Sequence, residues 1–176
     1  MEYEHGMGLA LEQARIAFAR GDFPVGCVIV QEGRVMAVGA RQGTNRERGV
    51  SSEIDHAEIN ALKHLETIDL PVDPKRCILF CTMEPCLMCF GAIILSGIKK
   101  IVYAYEDPMG GGTRCDLKNL PPLYEQCGIE IVSGVLREKS LDLFYNFFNK
   151  ESNRYWKNSY LEAYTLTNHQ RERVTK

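Results

Sequence analysis

The residues able to do chemistry in this chain fall into two short groups, His56-Ala57-Glu58 and Pro85-Cys86-Leu87-Met88-Cys89. One imidazole and two thiols suit zinc. Three protein ligands leave the fourth tetrahedral position open for water, the arrangement of a catalytic rather than a structural ion. Glu58 is then a carboxylate with no need to be a ligand. Two residues after the histidine, it is placed to carry protons to and from that water, a role that favours a raised pKa in a closed, dry pocket. Cys86 and Cys89 lie three apart, so at the start of a helix both sulfurs face one point. Pro85 sits where a missing N–H costs little, and the positive end of that helix favours thiolate over thiol. The expectation is one catalytic Zn2+ per chain, with His56, Cys86 and Cys89 as ligands and Glu58 as proton shuttle.

The elements that must position these residues are written in the hydrophobic pattern. Residues 4–20 carry a rough helical stripe (Leu9, Leu11, Ile16, Ala17, Phe18) closed by Gly21. Residues 25–30 and 34–38 are β-branched runs around Gln31-Glu32-Gly33, a hairpin with glycine at its turn. Residues 41–55 show no periodicity and read as a loop, whereas 57–65 place Ile59, Leu62 and Leu65 on one helical face. A strand over 77–82, an apolar helix over 86–95 ended by Ser96-Gly97 and a strand over 98–105 follow. Residues 107–113, with three consecutive glycines, read as a mobile loop, before a strand over 129–132 and a helix over 136–149. Strands alternating with helices imply parallel pairing and a sheet covered on both faces. The expected fold class is α/β: a three-layer α/β/α sandwich around a five-stranded mixed sheet, built by residues 1–149. Residues 150–176 are expected as a C-terminal extension packed on the same domain. There Trp156, Tyr160, Leu161 and Tyr164 suit a short helix docked through aromatics, with a polar, frayed end.

With 176 residues, 45% of them hydrophobic and 25% charged, the chain reads as one soluble domain. A net charge of −2 supplies no global attraction to nucleic acid. Arg41, Arg46, Arg48, Lys99, Lys100, Arg154 and Lys157 remain candidates for a local basic rim. No apolar run approaches the ~20 residues of a membrane span, and the first residues lack the layout of a secretion signal, so a cytoplasmic location is expected. Seven cysteines is an odd number, and a C-x-x-C beside a histidine motif in a reducing compartment favours metal ligation over disulfides. Cys27, Cys77 and Cys81 read as small core residues. A structural zinc module would need Cys77 and Cys81 as further ligands, but they lie in a strand-like apolar stretch. A redox pair finds no suitable surroundings at Cys86, and a non-catalytic partner subunit would not need Glu58.

H-x-E followed by P-C-x-x-C is the signature of zinc-dependent nucleobase deaminases. The wider context agrees. Pro24-Val25-Gly26-Cys27-Val28-Ile29-Val30, His56-Ala57-Glu58-Ile59-Asn60-Ala61-Leu62, Thr82-Met83-Glu84-Pro85-Cys86-Leu87-Met88-Cys89-Phe90-Gly91-Ala92-Ile93 and Asp107-Pro108 together resemble the cytidine deaminase superfamily. Within it the chain is similar to the branch of tRNA adenosine deaminases and bacterial guanine deaminases. The resemblance spans residues 4–149. It implies hydrolytic removal of the exocyclic amine of a nucleobase, with a lean to purines, a catalytic zinc, and usually a homodimer. It also implies that Ala57, the Glu84-Pro85 segment and Asp107 border the base. In the tRNA enzymes an asparagine in a G-x-N-R pattern binds the base; here the place after Gly39 reads Ala40-Arg41, and Asn45-Arg46 comes later. Either Asn45 or Arg41 takes that position. The substrate is a small base, nucleoside or nucleotide, or a tRNA anticodon loop. The small-molecule reading makes residues 41–55 and the aromatic tail a lid.

Overall fold

The computed structural model describes residues 3–45, 49 and 51–174. Helix α1 (Tyr3–Ala19) leads into a hairpin of β1 (Gly26–Gln31) and β2 (Arg34–Ala40). Gln31 pairs with Arg34, so the turn has two residues, and both Glu32 and Gly33 have positive φ. That is the primed geometry whose twist matches the flanking strands. Then come α2 (Ala57–Glu66), β3 (Cys77–Met83), α3 (Leu87–Ser96), β4 (Lys100–Tyr105), a short α4 (Pro122–Glu125), β5 (Glu130–Val132), α5 (Arg137–Phe148) and α6 (Tyr160–Val174). The single-turn helices at Pro74–Arg76 and Leu117–Asn119, and α4, are pieces that periodicity did not reveal.

The strands form one mixed sheet in the order β2-β1-β3-β4-β5. β1 is antiparallel to both β2 and β3, and β3, β4 and β5 are parallel. Alternate residues feed two cores. Val28, Val30, Phe80, Val102 and Ala104 meet Met7, Ala10 and Leu11 of α1. Cys27, Ile29, Leu79, Cys81 and Ile101 belong to the larger core on the other face, with Ala57 and Ala61 of α2 and Phe90 and Ile93 of α3. This is the three-layer α/β/α sandwich with a five-stranded mixed sheet.

α2 can lie close to the sheet because Gly39 has no side chain. A Cβ there would stand 2.1 Å from the Ala57 carbonyl oxygen and 2.5 Å from the Ala61 nitrogen. Since His56 occupies the N-cap of α2, the fit also sets the position of a candidate ligand. Gly39→Ala is expected to lift α2, destabilise the protein by about 1–3 kcal/mol and weaken zinc retention; thermal unfolding and metal content check it.

α6 is a 15-residue helix rather than a short one, and Trp156 precedes it; of the end expected to fray, residues 175 and 176 lie outside the described residues. Leu161 enters the main core, and the Tyr105 hydroxyl bonds Thr165 at 3.0 Å. Arg137 of α5 ties the layers together, pairing with Glu106 after β4 and with Glu172 of α6. Burial pushes the Glu106 carboxyl up, but hydrogen bonds from Arg137 and Tyr164 outweigh it and hold it below its ordinary value of 4.5. A carboxylate lowered on folding adds stability above its unfolded pKa and loses it as pH falls through the folded value. Docking of α6 is therefore expected to loosen below about pH 4.5, and Glu106→Gln to flatten that acid limb. Arg137→Ala, at a pair of side chains each 24% exposed, is expected to destabilise by about 2 kcal/mol, read as faster amide exchange in α6.

Candidate active site

The first residues of α2 and α3 meet beyond one edge of the sheet. His56 and Cys86 occupy the N-cap positions, both with extended backbone, where their carbonyls accept the first helical bonds from Asn60 and Phe90. Such positions usually hold a side chain that bonds the helix's free N–H groups. Neither His56 nor Cys86 does so; they turn toward each other. His56 Nδ1 lies 3.6 Å from Cys86 Sγ and 3.4 Å from Cys89 Sγ. The three donor atoms all fall within 4.8 Å of one another, the one such group among the described residues. Asn60 holds the approach to α2, donating to the carbonyls of Ala40 and Asp55.

The electrostatics suit a cation. Cys86 is lowered to about 4, first by the hydrogen bond from Cys89 and, against burial, by His56. Cys89 holds its proton and is raised. Burial would lower His56, but its bond to Cys86 and the Glu58 charge win and raise it. Glu58 is 3% exposed and burial raises its pKa, with His56 opposing. Its Oε2 is buried with no hydrogen-bond partner. A thiolate, a second sulfur and an imidazole within coordinating reach, beside an orphaned carboxylate oxygen outside the donor set, fit zinc and its proton shuttle.

Glu84 is the contrasting carboxylate. It is also buried, but Oε2 accepts from the Asp107 N–H at 3.1 Å and Oε1 from the Thr113 hydroxyl at 2.5 Å. It fastens the glycine-rich segment to the Pro85-Cys86 strand end. Gly112 donates to the Pro85 carbonyl, Cys86 bridges Gly111, and Asp107 Oδ1 accepts from the N–H groups of Met109 and Gly110. A Cβ at Gly111 would stand 2.5 Å from the Glu84 carboxyl. The loop expected to be mobile is thus stapled to the motif, and its glycines permit that approach.

A cavity of about 340 Å3 opens over this cluster. His56, Glu58, Cys86, Glu84 and Asp107 line it; Ala57 and Pro85 do not, Ala57 being fully buried under the sheet edge. Arg41 lines it too, because β2 runs in the direction of β3 and ends on the same edge. Asn45 is not brought there. Its amide donates to the Arg20 carbonyl, and it borders a neighbouring depression of about 720 Å3 with Lys150, Asn153 and Arg154. The outer wall comes from Tyr155, Trp156 and Leu161, with Glu53. Of the expected basic rim, Arg41 is buried, Lys99 donates to the Cys127 carbonyl, Lys100 pairs with Glu130, and Arg46 and Arg48 lie outside the described residues. Trp156, at positive φ, and Leu161 are the wall residues singled out by the sequence, as members of the aromatic and apolar set in the tail; Tyr155 was not.

Residues 1–105 match the model of the cytidine and deoxycytidylate deaminase zinc-binding region. The chain belongs to this deaminase family. It is 32% identical over 151 residues to a tRNA-specific adenosine deaminase of Agrobacterium fabrum, covering 85% of this chain and 96% of that one. It is 30% identical over 141 residues to a cytosine deaminase of Candida albicans, covering 78% and 91%. A solved guanine deaminase of Nitrosomonas europaea superposes with a TM-score of 0.62 at 29% identity, covering 82% and 83%. These relatives share the fold and differ in the base they are named for. The family is zinc-binding, and the His56, Cys86 and Cys89 cluster is this chain's candidate site for the ion.

Proposed function

We propose that this family member is a zinc-dependent hydrolase that replaces the exocyclic amine of a nucleobase by a carbonyl, releasing ammonia. The observation that carries the reading is the buried, unpartnered Glu58 Oε2 in the cavity beside the three zinc donors. His56, Cys86 and Cys89 would hold the ion. Bound there, zinc supplies the Lewis acidity that brings the pKa of water down to about 7. Glu58, raised by burial, would take one proton from the attacking water and deliver it to the ring nitrogen, then carry a second proton from the newly added hydroxyl to the departing amine as the carbonyl forms. Glu84 and Asp107 keep the floor in place through their backbone bonds.

Among the substrates named for the relatives, a free base or small nucleoside fits the walled cavity best. The adjoining depression with Lys150 and Arg154 favours the second reading, an anticodon loop held outside by its neighbouring nucleotides. Symmetric pairing of two chains is part of the proposal. Leu87, Met88 and Leu95 stand exposed along α3, Leu87 and Leu95 at 63% and 64%. No helix among the described residues is long and apolar enough to cross a membrane; with seven unpaired cysteines, we place the protein in the reducing cytoplasm.

The test is ammonia release by zinc-loaded protein from guanine, adenine, adenosine, cytosine, cytidine, deoxycytidylate and an anticodon stem-loop. Turnover of at least one, abolished by Glu58→Ala, is expected. Ammonia from none, with zinc bound, would refute the reading.

A further inference from the structure

Arg41 is 2% exposed and is the largest fully buried side chain among the described residues. Its guanidinium is thinly paired. Nη1 donates to the Gln42 carbonyl at 2.7 Å, while Nη2 reaches Glu53 Oε2 and the Tyr155 hydroxyl only at 3.4 Å each. The Glu53 side chain is itself 59% exposed, and accepts from Tyr155 at 2.9 Å. Taking a cation out of water with such partners is unfavourable unless something completes its hydrogen bonding. Arg41 and Glu53 both line the cavity that His56 and Glu58 line. One wall therefore offers a fork of donors with an acceptor beside it.

We propose that this pair selects the base: Arg41 donates to a ring carbonyl, and Glu53 accepts from a neighbouring ring N–H. The substrate is then an aminated heterocycle that also carries a carbonyl, an oxopurine or oxopyrimidine, rather than adenine. The assignment rests on the deaminase reading of the same cavity. An arginine fork facing a carbonyl and its neighbouring ring atom is the commonest base-specific contact in nucleic-acid recognition. A phosphate fits less well, because Glu53 shares the guanidinium and Glu58, Glu84 and Asp107 place three further carboxyl groups around the cavity. A site built to hydrogen-bond a substrate group rejects the analogue lacking it strongly, since the buried donor is left unmet.

The experiment uses zinc-loaded protein and two pairs of bases that differ in the ring carbonyl and the ring N–H that accompanies it, guanine against 2-aminopurine and cytosine against 4-aminopyrimidine. Adenine and the anticodon stem-loop run alongside. One oxo base is expected to exceed its partner in kcat/KM by about 10³-fold or more. Arg41→Met is expected to bring that ratio to within about tenfold of unity; a merely structural role lowers both members alike and preserves the ratio. Calorimetric binding to the Glu58→Gln protein gives a second readout, in which the oxo base binds more tightly and the added Arg41→Met change removes the preference. Should Arg41→Met not fold, the ratio in the unaltered protein and its decrease in Glu53→Gln, at an exposed position, decide the matter. Equal turnover within each pair, or turnover of the stem-loop or adenine alone, overturns the role of Arg41 and leaves the deaminase standing. Ammonia from no substrate overturns both.

Discussion

Replacing Glu58 by alanine lowers kcat by at least about 10³-fold, the upper range for a lost general acid–base, while one zinc per chain is retained. The two outcomes separate because the side chains separate. The candidate donors for the ion are His56, Cys86 and Cys89, and Glu58 is outside that group. The other acids lining the cavity are engaged, Glu53 by Arg41 and by the Tyr155 hydroxyl that donates to it. Glu84 has both oxygens bonded to the glycine-rich segment, and Asp107 is held by two backbone N–H groups. Metal analysis and steady-state ammonia release on the same preparation check the prediction. Loss of zinc with activity would make Glu58 a ligand, and activity above a tenth of the original would assign the proton transfer elsewhere.

Stripping the metal with a chelator is expected to lower the melting temperature by on the order of 10 °C, with recovery on adding back zinc. A ligand present at about 1,000 times its dissociation constant stabilises the native state by about 4.1 kcal/mol. For a chain of this size each kcal/mol moves the midpoint by roughly 2–4 °C. The effect should be local in origin. Two of the candidate donors, His56 and Cys86, stand at the N-caps of α2 and α3, and without the ion they would face each other across 3.6 Å. Cys86→Ser should reproduce the loss and make the chelator ineffective. An unchanged midpoint after verified metal removal would show that the two helix starts are held by packing alone.

The candidate metal ligands were readable because each sits at the first turn of an element whose start is marked in sequence: Pro85 before α3, and the mostly polar residues 51–55 before α2. The sheet was readable for a similar reason, since its strands are short β-branched runs set off by Gly33 or by proline and glycine near the helix ends. The wall of the cavity was not. Arg41 looks like a surface cation until β2 carries it to the edge where β3 ends, and which of Arg41 and Asn45 enters depends on how residues 41–45 close over Asp22. α6 was underestimated because its buried stripe is Leu161, Thr165 and His169. Two of those three are polar, satisfied by Tyr105 and Asp142, so the stripe has almost no hydrophobic period to detect.

Every group proposed to hold the ion or move a proton is placed before residue 90, whereas Tyr155, Trp156 and Leu161 follow residue 150. A ribosome delivers these parts in that order. The sheet, the paired helix starts and their zinc can assemble while the segment that walls the cavity is still being synthesised. A nascent chain paused after α5 would carry the three candidate donors and Glu58 with one wall of their cavity still missing. Enclosure of the cavity, rather than the Arg41 and Glu53 pair, is then the last feature the growing polypeptide acquires, and a chain stopped before residue 155 would lack the wall that Tyr155, Trp156 and Leu161 supply.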